Sequence, residues 1–250
     1  MEKQETLISS QPQVMLISYS LQGHINPMVQ FAKRLVSRGI KVTLVTPITT
    51  LDSPLQVNSN SINTEHILVD RPSSSHATNS DDIDDILALI KISITRSLPE
   101  IIEKQKASGY PVKFLIYNAL MPYALDICLN LGIQGVAFCT YSCAVFAIYY
   151  HVHRRTLDIN TVTELSTVTL PSLPPLGVED LPSFFYTGTY QGLLRSSANQ
   201  FLGMERAYGV LINTFEELEA EHKPSPQLIV QTQHINTQQY TPNIHAKSAG

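Results

Sequence analysis

A βαβ pattern at the start of the chain restricts its fold more than any other feature. Val14–Tyr19 (VMLISY) is a short apolar run, the mark of a strand buried on both faces of a parallel sheet. Ser20–His24 (SLQGH) reads as a turn. Ile25, Met28, Val29, Ala32, Leu35 and Val36 then recur at helical spacing. Asn26-Pro27 suits an N-cap followed by proline in the first turn, and Arg38-Gly39 suits a helix stop. Lys41–Thr46 (KVTLVT) is a second strand. Elements of these lengths close into a right-handed βαβ unit.

The alternation continues. Strands are expected at Thr64–Val69, Lys113–Tyr117, Ile133–Phe138 and Gly209–Asn213. Helices are expected at Asp81–Ala107, Met121–Leu131, Ser142–Arg155, Gly192–Arg206 and Phe215–Glu221, with Pro99 kinking or dividing the first. Residues 168–188, with Pro171, Pro174, Pro175 and Pro182, read as irregular. The pattern predicts an α/β fold: an open parallel Rossmann-like sheet with helices on both faces. Residues 1–12 are expected to be disordered and residues 13–222 to form the domain. Residues 223–250, with five glutamines and no acidic residue, form an atypical tail expected to be disordered.

Composition narrows the function. Seventeen basic and 21 acidic residues leave a net charge of −4, which argues against nucleic acid as a partner. Cys128, Cys139 and Cys143 form no CxxC pair and sit in apolar surroundings, as buried thiols of a reducing compartment do. The uncharged stretch Ile127–Tyr150 is broken by Asn130, Gly132, Gln134 and Gly135, so it reads as a buried strand and helix and not a membrane span. No secretory signal opens the chain, and a cytoplasmic protein is expected.

In an open α/β sheet, ligands bind beyond the carboxyl ends of the strands. Gln22-Gly23-His24, Asn118 and Thr140 reach that edge. A histidine there can serve as a general base, or it can be held at a helix start by packing alone. GxGxxG, GxxxxGK[ST] and GxSxG are all missing, which disfavours a dinucleotide oxidoreductase, a P-loop NTPase and a nucleophile elbow. His151 and His153, two apart, lie on different helix faces and read as cations near a helix end, with no metal expected.

Five separated blocks resemble plant family 1 UDP-glycosyltransferases, in family order. They are Val14–Thr46, Ile116–Cys128 (IYNALMPYALDIC), Phe138–His153 (FCTYSCAVFAIYYHVH), Leu170–Phe185 (LPSLPPLGVEDLPSFF) and Gly209–Glu219 (GVLINTFEELE). The first block and YYHVH look most like the subgroup that glucosylates small carboxylic acids. The resemblance implies a GT-B enzyme that moves glucose from UDP-glucose, a co-substrate and not a cofactor, to a hydroxyl or carboxyl of a small hydrophobic acceptor with inversion. It implies that His24 is the general base. Gln22 and Gly23 fall near the donor phosphates, and Thr140 falls on the sugar. Met121, Phe146, Phe184 and Phe185 are candidates for lining the acceptor pocket or for the core.

The family places an aspartate where this chain has Asn118. An amide oxygen can accept the imidazole N–H but cannot supply the charge that offsets an imidazolium. The family's UDP-sugar-binding domain opens with tryptophan and contains HCGWNS; this chain has no tryptophan and no such segment. Only the acceptor domain is therefore expected, with the resemblance ending near His222 and the tail an out-of-frame or read-through end. Such a chain is expected to be inactive alone, as a non-catalytic acceptor-binding fragment or pseudogene product.

Overall fold

A computed structural model describes residues 12–49, 61–70, 80–158, 162, 167–171, 173–185, 191–214 and 232–234. Its centre is β1 (Gln13–Ile17), every residue of which is buried. The chain continues through α1 (Gln22–Ser37), β2 (Lys41–Ile48), β3 (Ile62–Leu68), α2 (Ser80–Ala107), β4 (Val112–Asn118) and α3 (Tyr123–Leu131). It then forms β5 (Gln134–Cys139), α4 (Cys143–His153), α5 (Gln191–Asn199), β6 (Gly209–Ile212) and β7 (Thr232–His234). All pairings are parallel, in the order β3-β2-β1-β4-β5-β6-β7. The expected open Rossmann-like sheet is what forms.

Strand order reverses at β1, which pairs with β2 on one side and β4 on the other. Right-handed crossovers running in opposite directions lay their helices on opposite faces. Alternate strand residues accordingly serve two cores. Val14, Leu16, Ile116 and Phe138 meet Ile25, Met28, Phe31 and Leu35 of α1 on one face. Met15, Ile17, Leu115, Tyr117 and Ala137 meet α2, α3 and α4 on the other. Burial on both faces explains why these strands read as continuous apolar runs. The proline-rich segment closes the second core with Val168, Leu170, Leu181 and Phe185.

Three boundaries differ from expectation. Helix α1 starts four residues before Asn26, with Leu21 in extended conformation ahead of it and the N–H groups of His24 and Ile25 both donating to the Leu21 carbonyl, each at 2.9 Å. Pro27 thus lies inside the helix. The N–H it lacks would have bonded Gly23, in an exposed first turn where water can satisfy the carbonyl. Pro99 likewise sits within one uninterrupted α2. Helix α5 ends at Asn199, and Gly203, at φ +73°, separates it from a 3-10 turn at Met204–Arg206. The stop at Arg38-Gly39 forms as expected, with Gly39 at φ +77° and Ile40 N–H donating to Leu35 O at 3.1 Å.

At the amino end of the strands, Gln13 is buried yet fully bonded. Its Nε2 donates to Gln105 Oε1 (3.0 Å) and to the Tyr110 carbonyl (2.8 Å), while its Oε1 accepts from Thr43 Oγ1 (2.7 Å). These bonds tie β1 at this end to β2, to α2 and to the turn before β4. Within the tail, Thr232–His234 pairs with β6. Residues 1–11, the expected helix Phe215–Glu221 and the rest of the tail lie outside the described residues.

Two substitutions probe this packing. A Cβ on Gly135 would stand 2.8 Å from Leu125 Cδ1 and 3.2 Å from Cys128 Sγ, both in buried side chains of α3. Gly135→Ala is expected to cost about 1–3 kcal/mol in guanidinium unfolding. Phe146 is 1% exposed and packs edge-on against Phe201 at 5.0 Å between ring centroids. Phe146→Ala is expected to cost about 3–5 kcal/mol, measured the same way.

Candidate functional site

Three strand ends converge at the strand-order reversal. His24 stands in the first turn of α1, just beyond β1; Asn118 closes β4; Thr140 follows β5 directly. The connections that bring them there span 94 and 116 residues of sequence. In space His24 Nδ1 lies 3.0 Å from Asn118 Nδ2 and 3.3 Å from Thr140 Oγ1. The sheet therefore brings together His24, Asn118 and Thr140.

Asn118 is 1% exposed and its amide is anchored. Its Oδ1 accepts the Leu120 backbone N–H at 3.1 Å, within the turn that follows β4. The oxygen is thus engaged by the backbone, and the NH2 group meets the ring. The ring's partners among the described residues are an amide and a hydroxyl, neither of them charged. Burial lowers the pKa of His24 below the usual histidine value, because desolvation penalises the imidazolium. The ring is held neutral and half-buried.

Tyr19, which sequence reasoning missed, completes this wall. Its ring meets His24 edge-on, with centroids 5.8 Å apart, and its hydroxyl donates to the Leu120 carbonyl at 3.3 Å. Leu120 thereby holds both Asn118 and Tyr19. The only sequence signal for Tyr19 is its place at the carboxyl end of β1. Ser20 bonds the Pro47 carbonyl, tying the turn before α1 to the end of β2.

Gln22 and Gly23 lie exposed on the first turn of α1, and a Cβ placed on Gly23 meets nothing within 4 Å. The fold does not need glycine there; the space above it is open. Met121 and Phe146, proposed for pocket or core, are fully buried in the second core. Phe185 is also buried there and stacks on Tyr149 at 6.4 Å. Phe184 belongs to a 3-10 turn, but its side chain lies outside what is described. Met121, Phe146 and Phe185 thus belong to the core that also holds Tyr19, and the Met121 backbone N–H donates to the Asn118 carbonyl at 2.8 Å.

His151 and His153 occupy the last turn of α4. Burial lowers the His151 pKa, and its Nδ1 lies 2.8 Å from Thr156 Oγ1, which suits a neutral ring more than the cation expected there. The three cysteines are buried thiols. Burial pushes the Cys128 thiol up to about 12 and that of Cys139 higher still, so neither supplies a thiolate nucleophile at neutral pH. Among the described residues no helix is long and apolar enough to cross a membrane.

No model of a known protein family matches the chain. Individual relatives do. UDP-glucosyltransferase 74AE2 of Panax ginseng is 40% identical over 212 residues, covering 85% of this chain and 46% of that enzyme. Os79 of O. sativa, crystallised with a trichothecene, superposes with a TM-score of 0.69 at 28% identity, over 84% of this chain and 49% of its own. A UDP-glucosyltransferase of Polygonum tinctorium capable of glucosylating indoxyl gives a TM-score of 0.71 at 25% identity, over 86% and 50%. The chain spans about half the length of the curated relatives it matches. Over the half of their length that it spans, the chain matches the plant UDP-glycosyltransferases in sequence and fold, and its sheet is that of the N-terminal half of a GT-B fold.

Proposed function

We propose that this chain is the acceptor-binding half of a UDP-glucosyltransferase that transfers glucose from UDP-glucose to a small hydrophobic acceptor with inversion. The observation that carries this is His24 at the carboxyl edge of β1, bonded to Asn118 and Thr140, in a chain 40% identical to a UDP-glucosyltransferase. His24 meets the acceptor. The acceptor oxygen attacks the anomeric carbon, and the bond from that carbon to the diphosphate breaks with UDP leaving on the opposite side. Thr140 contacts the sugar. The open space above Gly23 leaves room for the donor phosphates near the first turn of α1.

Loss of a diphosphate needs preorganised groups that stabilise its charge. The half of the site described here offers a neutral ring, an amide and a hydroxyl. The 250-residue chain by itself is therefore an acceptor-binding unit without turnover. Three buried thiols support a reducing, cytoplasmic setting.

Asn118 bears on the choice of acceptor. A hydroxyl acceptor must lose a proton, and a base paired with a carboxylate does this better than one paired with an amide. In the Ser-His-Asp hydrolases the comparable change to asparagine lowers turnover about 10⁴-fold. A carboxylic acid, with a pKa near about 4, is already ionised at neutral pH and needs no base. Ester formation on a small carboxylate is the reaction this site fits.

Two measurements test these readings. Radiolabelled UDP-glucose with a panel of acids and phenols is expected to give no product from the chain alone above a His24→Ala control; clear product would refute its inactivity. With the chain joined to the donor half of a ginseng relative, Asn118→Asp is expected to raise turnover of phenols far more than that of carboxylates. Equal gains on both would remove the argument for a carboxylate acceptor.

A further inference from the structure

We infer that Asn118 is a positioning residue that holds the neutral His24 ring in the tautomer with its proton on Nε2. The ring then meets an incoming ligand as a hydrogen-bond donor. The argument needs only the bonds around one amide. The Leu120 backbone N–H can only donate, so the Asn118 atom 3.1 Å from it is the oxygen. The other terminal atom of the amide is the NH2, which also only donates, and it lies 3.0 Å from His24 Nδ1. Two N–H groups cannot face each other at that distance. Nδ1 therefore presents its lone pair, and a neutral imidazole with a lone pair on Nδ1 carries its one proton on Nε2.

Thr140 does not change this. Its hydroxyl, 3.3 Å from Nδ1, can rotate to donate or accept and so adapts to either tautomer. Turning the Asn118 amide over would set its NH2 against the Leu120 N–H, two donors face to face around a side chain that is 1% exposed. An aspartate in the same place would keep the Leu120 bond with one oxygen and accept Nδ1–H with the other, leaving the Nε2 lone pair free to take a proton. Exchange of one NH2 for one oxygen thus reverses the polarity of the pair.

Among the described residues nothing in the protein bonds Nε2, so this N–H is available to a ligand. It cannot take the proton of a hydroxyl, but it can donate to an oxygen that is already anionic. What this means for catalysis rests on the acceptor-side role proposed above; the tautomer itself does not.

The test is spectroscopic and uses the 250-residue chain. With 15N-labelled histidine, long-range proton–nitrogen spectra above the ordinary histidine pKa distinguish a protonated from an unprotonated ring nitrogen and tell Nδ1 from Nε2. His24→Gln identifies the His24 signals among the eight histidines. The expected result is a protonated Nε2 and an unprotonated Nδ1, reversed in Asn118→Asp and unchanged in Thr140→Val. A protonated Nδ1 in the unaltered chain overturns the inference, as does reversal by Thr140→Val alone. Should Asn118→Asp not fold, the spectrum of the unaltered chain still decides. No sugar nucleotide is involved, so a failure of glucosyl transfer and a failure of the tautomer assignment are separate results.

Discussion

Reversal of strand order at β1 is the constraint on which the rest of this structure depends. A right-handed crossover leads from β1 to β2 in one direction, and the later crossovers run the other way. Loops that leave neighbouring strands toward opposite faces part from each other, and a crevice opens between them. His24 follows β1 and Asn118 ends β4, so the two strands that flank the crevice each deliver one side chain to it. The two cores hold this geometry rigidly. Residues next to one another on β1, such as Met15 and Leu16, are buried on opposite faces with no exposure to solvent.

Electrostatically the site is quiet. No carboxylate bonds the ring of His24 among the described residues, and burial keeps the ring neutral. Hydrogen-bond direction is what this wall supplies. The Leu120 backbone orients Asn118 and Tyr19, and both orient or pack against the imidazole.

Much of this was legible in the primary structure, for identifiable reasons. Strands buried on both faces have no alternation to disguise them, so Val14–Tyr19, Lys41–Thr46 and Lys113–Tyr117 stand out as apolar runs. The stop at Gly39 was legible because a positive φ favours glycine. Helix starts were less so. Asn26-Pro27 has the right residues for a cap, yet α1 begins at Gln22, because an exposed first turn lets water satisfy the carbonyl that Pro27 leaves free. Met121 and Phe146 could be pocket or core by composition; only the position of α2, α3 and α4 over the sheet buries both.

From the residues alone came the class of fold and the three side chains His24, Asn118 and Thr140 at the carboxyl edge of the sheet. All of these follow from local periodicity and from the place of polar residues after strands. What only the tertiary structure decided is which atom of Asn118 faces the ring. The two ends of an amide have nearly the same shape, and no pattern along the chain distinguishes them. The Leu120 N–H, placed by the turn after β4, takes the oxygen and leaves the NH2 for His24. Hydrogen-bond polarity is a property of neighbours in space, and these neighbours are set by packing 94 residues apart.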